Sequence, residues 1–110
     1  MQFLSLSRRR DDRFTDAEFA ALVDAEIAQA RTLYADGFIR QIWHRGDVPG
    51  ACILLEADSL EHAYERLHTL PLIRAGMLDV SIVPLVPYAG FSPRQRQPAT
   101  ARTEDRAVLP

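Results

Sequence analysis

DAEFAALVDAEIAQARTLYAD, residues Asp16–Asp36, reads as one long amphipathic helix and fixes the frame for everything on either side of it. Phe19, Leu22, Val23, Ile27, Ala30, Leu33 and Tyr34 recur at three- and four-residue steps, which at roughly 100° per residue places them on one stripe. Thr15 followed by Glu18 is a capping box at its start, and Gly37 supplies the left-handed position past its last turn. Glu26 lies inside the apolar stripe, one turn after Leu22 and one turn before Ala30. An ionised carboxylate taken out of water costs several kcal/mol unless it is paired or neutralised by a raised pKa. Three readings stand side by side: a wetted helix edge, an interface salt bridge, or a carboxylate that faces a pocket.

Strand patterns flank the helix. Met1–Ser7 alternates, with Leu4 and Leu6 on one face and Phe3, Ser5 and Ser7 on the other. Phe38–Arg45 and Ala51–Ala57 form two further strands around Gly46-Asp47-Val48-Pro49-Gly50, a loop rich in turn formers. Asp58 with Glu61 is expected to cap a second helix that runs to about Thr69 and stops before Leu70-Pro71. Met77–Val86 is a fourth strand, and Pro84 within it demands an edge or a bulge. The order β-α-β-β-α-β predicts an α+β, ferredoxin-like fold over residues 1–91. From Ser92 to Pro110 the chain is mostly Pro, Arg, Gln, Thr and Ala, and is expected to be a flexible tail. Two helices cover one face of such a sheet, so a second copy packed sheet to sheet is expected over the other, with an apolar cavity between them.

Composition narrows the function classes. At 110 residues and 47% hydrophobic content the chain is one domain with a packable core. A net charge of −2 gives no general attraction to nucleic acid or acidic membranes, and Arg8, Arg9 and Arg10 are followed at once by Asp11 and Asp12. The single cysteine, Cys52, excludes an internal disulfide and suits a reducing compartment. With no leader and no long apolar run in the sequence, a cytoplasmic, soluble protein is expected. The histidines His44, His62 and His68 lack the i, i+4 spacing of a helical metal site. There is no glycine-rich phosphate loop and no Ser-His-Asp signature.

Several motifs in fixed order resemble muconolactone Δ-isomerase and its relatives: the run Glu26 to Gly37, then Ile42-Trp43, then Leu70-Pro71-Leu72, Asp79-Val80 and Pro84-Leu85. The resemblance covers about residues 1–90. It implies a dimeric α+β barrel, sometimes built into larger rings, that uses neither cofactor nor metal and shifts a proton within an unsaturated lactone. Glu26 falls on the family's helix glutamate and Trp43 on its tryptophan. The chain departs from the family at three places. Gln41 stands where the family has a histidine, and Ala51-Cys52 where it has Asn-Tyr. Ile73-Arg74-Ala75-Gly76-Met77 replaces Phe-Pro-Tyr-Met.

A proton shift of this kind needs one base and donors for an enolate oxygen, and a carboxylate in a dry pocket has a pKa closer to that role. The resemblance therefore makes Glu26 the catalytic base. Trp43, Gln41, Tyr34, Arg74 and His68 are the expected substrate contacts, Arg74 through a bidentate fork to a carboxylate. Packing is the ordinary alternative for Trp43, and solvation for Arg40, Arg74 and His62. Cys52, in an apolar strand, reads as a small buried thiol. The substrate expected is an unsaturated lactone, a cyclic ketone or a related small organic acid. Two other readings share the fold: a cofactor-independent oxygenase acting on an electron-rich aromatic, and a non-catalytic protein that binds a small molecule or serves in assembly.

Overall fold

Strand β1 (Gln2–Arg9) runs through the middle of a four-stranded antiparallel sheet of order β2-β3-β1-β4. The computed structural model describes residues 1–91, and the expected tail at 92–110 lies outside the described residues. After β1 come α1 (Asp16–Ala35), β2 (Ile39–His44), β3 (Ala51–Glu56), α2 (Leu60–Leu67), α3 (Pro71–Arg74) and β4 (Leu78–Leu85), then one 3-10 turn at Ala89–Phe91. The connectivity is the ferredoxin-like β-α-β-β-α-β arrangement, with α3 added. No helix among the described residues is long and apolar enough to cross a membrane.

The helices form where their ends are satisfied. Thr15 closes the expected capping box with Glu18, its hydroxyl accepting from the Glu18 N–H at 3.2 Å and its own N–H donating to Glu18 Oε1 at 2.9 Å. Gly37 follows α1 at φ 83°, a conformation that a side chain disfavours. For α2 the cap is Ser59, whose Oγ accepts from His62 N–H at 3.0 Å, and not Asp58. The serine sits one residue nearer the helix, which puts its oxygen within reach of the third N–H. Helix α3 was not expected. Pro71 presets its first φ, but a single turn carries no periodicity from which to read it.

Alternation sorts the sheet into two faces. Phe3, Ile53, Leu55 and Ile82 face the helices and meet Leu33 of α1, Ala63 and Leu67 of α2, and Leu70 and Ile73 around α3. Full burial of side chains this size stabilises by about 1.5–3 kcal/mol each. On β2 the register shifts between Ile39 and Gln41, so Ile39 and Ile42 pair with Leu55 and Ile53 while Gln41 and Trp43 pair with Leu54 and Cys52. The bulge thus turns Ile42 and His44 toward the helices and sets Gln41 and Trp43 on the other face. Pro84 sits in β4, an edge strand, where its missing N–H costs no ladder bond.

The second sheet face has no cover within the described residues. Leu4, Leu6, Cys52, Leu54, Val83 and Leu85 lie on it by register, with Trp43 on its edge. Val83 is 52% exposed and Trp43 49%.

Candidate functional site

Beneath α1, at the β2–β3–β1 side of the sheet, lies a cavity of about 510 Å³. The sheet supplies its floor through Ser5, Ser7, Ile39, Ile42, His44, Ala51 and Ile53. Its roof is the inner face of α1, with Glu26, Ile27, Ala30, Arg31 and Tyr34, and its end wall is Leu70, Leu72 and Ile73. The volume is in the range of small-molecule sites, and the lining is apolar with few polar groups, the usual composition of such sites.

Glu26 is held in this cavity by α3. The first N–H groups of a helix have no acceptor within it. Leu70, at the N-cap of α3, makes no side-chain cap bond, and Leu72 N–H donates instead to Glu26 Oε1 at 2.9 Å. The other oxygen, Oε2, has no hydrogen bond among the described residues, and none of the ion pairs there includes Glu26. Burial pushes the Glu26 carboxyl above its ordinary 4.5, and the Leu72 N–H offsets part of that rise. Of the three sequence readings, the interface salt bridge concerns a second copy, and within this chain Glu26 has no ion pair among the described residues. The pocket-facing carboxylate is found here, with a second task in closing the end of α3.

A hairpin closes the floor. Arg45 donates to Asp47 Oδ1 and Oδ2 at 2.9 and 2.7 Å and to the Ser7 carbonyl at 3.2 Å, pinning the loop to β1. The Arg45 hydrogen bond holds Asp47 down at about 2. Gly50 runs so close to β1 that a Cβ there would stand 2.0 Å from the Ser7 carbonyl oxygen. Ser7 Oγ accepts from Ala51 N–H at 3.1 Å and bonds the Ala51 carbonyl at 3.4 Å, extending the ladder beyond the last regular pair, Leu6–Cys52. Arg9 is committed elsewhere: it lies 3.8 Å over the Phe19 ring and pairs with Asp16 at 2.9 Å. Arg31 and His44 have no ion-pair partner among the described residues.

Of the residues singled out from sequence, Glu26, Tyr34 and Trp43 border the cavity, Trp43 from the edge strand. Gln41, His68 and Arg74 do not. After the bulge Gln41 stands opposite Leu54 on the uncovered face, and its Oε1 accepts from Ile42 N–H at 3.2 Å. His68 caps α2, its Nδ1 2.8 Å from the Tyr64 carbonyl. Arg74 is the exposed end of α3, where Ile73 takes the buried position. The sequence reading passed over Ser5, Ser7, Arg31, His44 and the N–H of Leu72. For the serines a signal existed, since both alternate with Phe3 on β1. For Leu72 none did, because it acts through its backbone.

The fold and cavity define a class: a ferredoxin-like α+β domain with an acid-bearing apolar site between helix and sheet. Among solved structures, muconolactone isomerase is similar to it, with a TM-score of 0.69 and 19% identity, over 87% of this chain and 100% of that one. The 5-chloro-2-hydroxyhydroquinone dehydrochlorinase of Burkholderia phenoliruptrix AC1100, solved in complex with 2,5-dihydroxybenzoquinone, is also similar, with a TM-score of 0.59 and 18% identity, over 78% of this chain and 94% of that one. At these identities the likeness establishes the fold, the one to which the sequence motifs pointed. No family model matches the chain, and no curated protein does so by sequence.

Proposed function

We propose that the chain is a small isomerase acting by proton transfer on an unsaturated lactone, a cyclic ketone or a related small organic acid, with Glu26 as the base. The observation that carries this reading is a carboxylate in an apolar cavity, free of any ion pair among the described residues and with its pKa raised by burial. Such a group takes up a proton near neutrality more readily than a solvated glutamate.

Glu26 Oε2 removes a proton from the carbon next to a carbonyl, and the C–H electron pair passes into an enolate. The same carboxylic acid returns the proton two atoms along the conjugated system, the double bond moves, and Glu26 ends as it began. The Leu72 N–H fixes the carboxylate during both transfers, and Tyr34 lines the wall over the ring. A second outcome starts from the same proton removal: with a chloride on the neighbouring carbon, the electron pair expels it. The likeness to a dehydrochlorinase supports this second reading. The uncovered apolar sheet face supports assembly as a homodimer or larger homo-oligomer, for which a stable monomer in light scattering at micromolar concentration is the contrary result.

The test is hydrogen–deuterium exchange of a β,γ-unsaturated butenolide in deuterated water, with chloride release from its chlorinated analogue followed alongside. Glu26→Gln should lower either rate by about 10²–10⁴-fold. Equal rates for wild type and Glu26→Gln remove the base from Glu26, and rates no higher than the uncatalysed background leave a binding protein as the reading.

A further inference from the structure

We propose that Gln29 and Thr69 form a brace that aims the Leu72 N–H at Glu26, which makes both of them positioning residues for the proposed base. Gln29 Nε2 donates to Thr69 Oγ1 at 2.9 Å. Gln29 stands three residues after Glu26 on α1, and Thr69 stands three before Leu72. The bonds Glu26–Leu72 and Gln29–Thr69 are thus successive rungs between one edge of α1 and the corner that joins α2 to α3. Neither Gln29 nor Thr69 lines the cavity, so their action runs through Leu72 and not through a ligand.

The Thr69 hydroxyl has one proton and spends it on the Arg66 carbonyl at 2.6 Å, in the last turn of α2. Its oxygen is left only to accept, and Gln29 meets it with the donating end of its amide. Thr69 is in this way tied to α1 and α2 at once, one residue before Leu70, the N-cap of α3. Helix α3 needs such a tie. It is a single turn of 4 residues, too short to stand alone, and Leu70 makes no side-chain cap bond. Burial of Leu70 and Ile73 presses it onto the core, but apolar burial is non-directional and does not set where an N–H points. A hydrogen bond does, because it weakens steeply as its angle closes. The ion pair of Arg66 with Asp36, at 3.1 Å, lies past the end of α1 and away from Glu26.

The brace rests on the proposed reaction for its use, but its test needs no substrate. Arg9, Arg31, Tyr34 and His44 also line the cavity, and none of them bonds Glu26 among the described residues. An NMR titration of the Glu26 carboxyl carbon therefore reports on the Leu72 bond. In wild type the Leu72 amide proton resonance should follow that titration. Gln29→Leu and Thr69→Val keep the side-chain shape and remove the rung. Each should uncouple the Leu72 amide from Glu26 and raise the Glu26 midpoint by about one pH unit, because burial then acts unopposed. Thr69→Ser keeps the hydroxyl and should titrate as wild type does. The double variant should match either single one, since the two residues make one bond. An unchanged midpoint in either single variant overturns the proposal. So does a shift in Thr69→Ser equal to that in Thr69→Val, or a wild-type Leu72 amide that is blind to Glu26. Full proton exchange by Glu26→Gln would remove the base and leave these resonances to decide the brace.

Discussion

Helix α2 has 8 residues and buries Ala63 and Leu67 completely, whereas α1 has 20 residues and buries only Phe19 and Leu33. Both cover the same sheet face. Over α2's end the space is filled by Phe3 and Leu55 from the sheet, both at 0% exposure. Over α1's middle it is the cavity, with Glu26 and Ala30 turned toward it and Val23, Ile27 and Tyr34 left exposed. The difference separates what each helix is for. The short helix is a packing element, and the long one is a roof carried by its two ends.

Four substitutions break or sharpen this contrast. The largest effect is expected at Leu67→Ala, which removes a fully buried side chain from the packed end and should cost about 2–5 kcal/mol in denaturant unfolding. Next is Gly50→Ala. Its Cβ would stand 2.0 Å from backbone that cannot yield without shifting the hairpin, and a loss of about 1–3 kcal/mol is expected in thermal melts. A neutral result would show that the hairpin floor is adjustable.

Glu26→Gln follows, and its effect depends on pH. Because burial raises the folded carboxyl above 4.5, the folded protein holds that proton more tightly than the unfolded chain. The resulting stability is fully present below the unfolded value and is lost as the pH rises through the folded one. Glu26→Gln removes this loss, so the variant should gain on wild type with rising pH. The gain should stay under about 1 kcal/mol, because the half-buried carboxylate is screened by solvent. A gain with falling pH instead would mean that Glu26 is held ionised by a partner. Asp47 has the opposite sign: held at about 2, its contribution is present above its ordinary 3.8 and is lost as the pH falls through about 2.

The smallest effect is expected at Ile27→Ala, under about 0.5 kcal/mol, since this residue of the roof is 46% exposed. A loss rivalling that of Leu67→Ala would place Ile27 in a packed interface and erase the contrast between the two helices.

Much of this was legible in the sequence because it is local. Thr15 and Glu18 mark the start of α1, Gly37 its end, and the alternation of Phe3, Ser5 and Ser7 is already the inner face of β1. The position of Glu26 in the apolar stripe flagged it before any geometry was known. The stripe also misled. Its periodicity implied that Val23, Ile27 and Tyr34 would be covered, yet they are exposed, because a hydrophobic period tells which side chains share a face and not whether anything fills the space opposite. The expectation for Gln41 rested on the resemblance and that for Arg74 on the altered loop, and a bulge, a helix cap and a one-turn helix leave Gln41, His68 and Arg74 off the cavity lining.

The sequence by itself determined the β-α-β-β-α-β order apart from α3, the α+β class and the one carboxylate set among apolar neighbours, since capping, alternation and helical period are properties of a few adjacent residues. Only the tertiary structure decided that the Leu72 N–H, 46 residues along the chain, reaches Glu26, and that Ser5 on the floor is left without a partner. Those facts depend on how α1, α3 and β1 are held relative to one another, and that is set by packing over the whole sheet and by no local stretch of the chain.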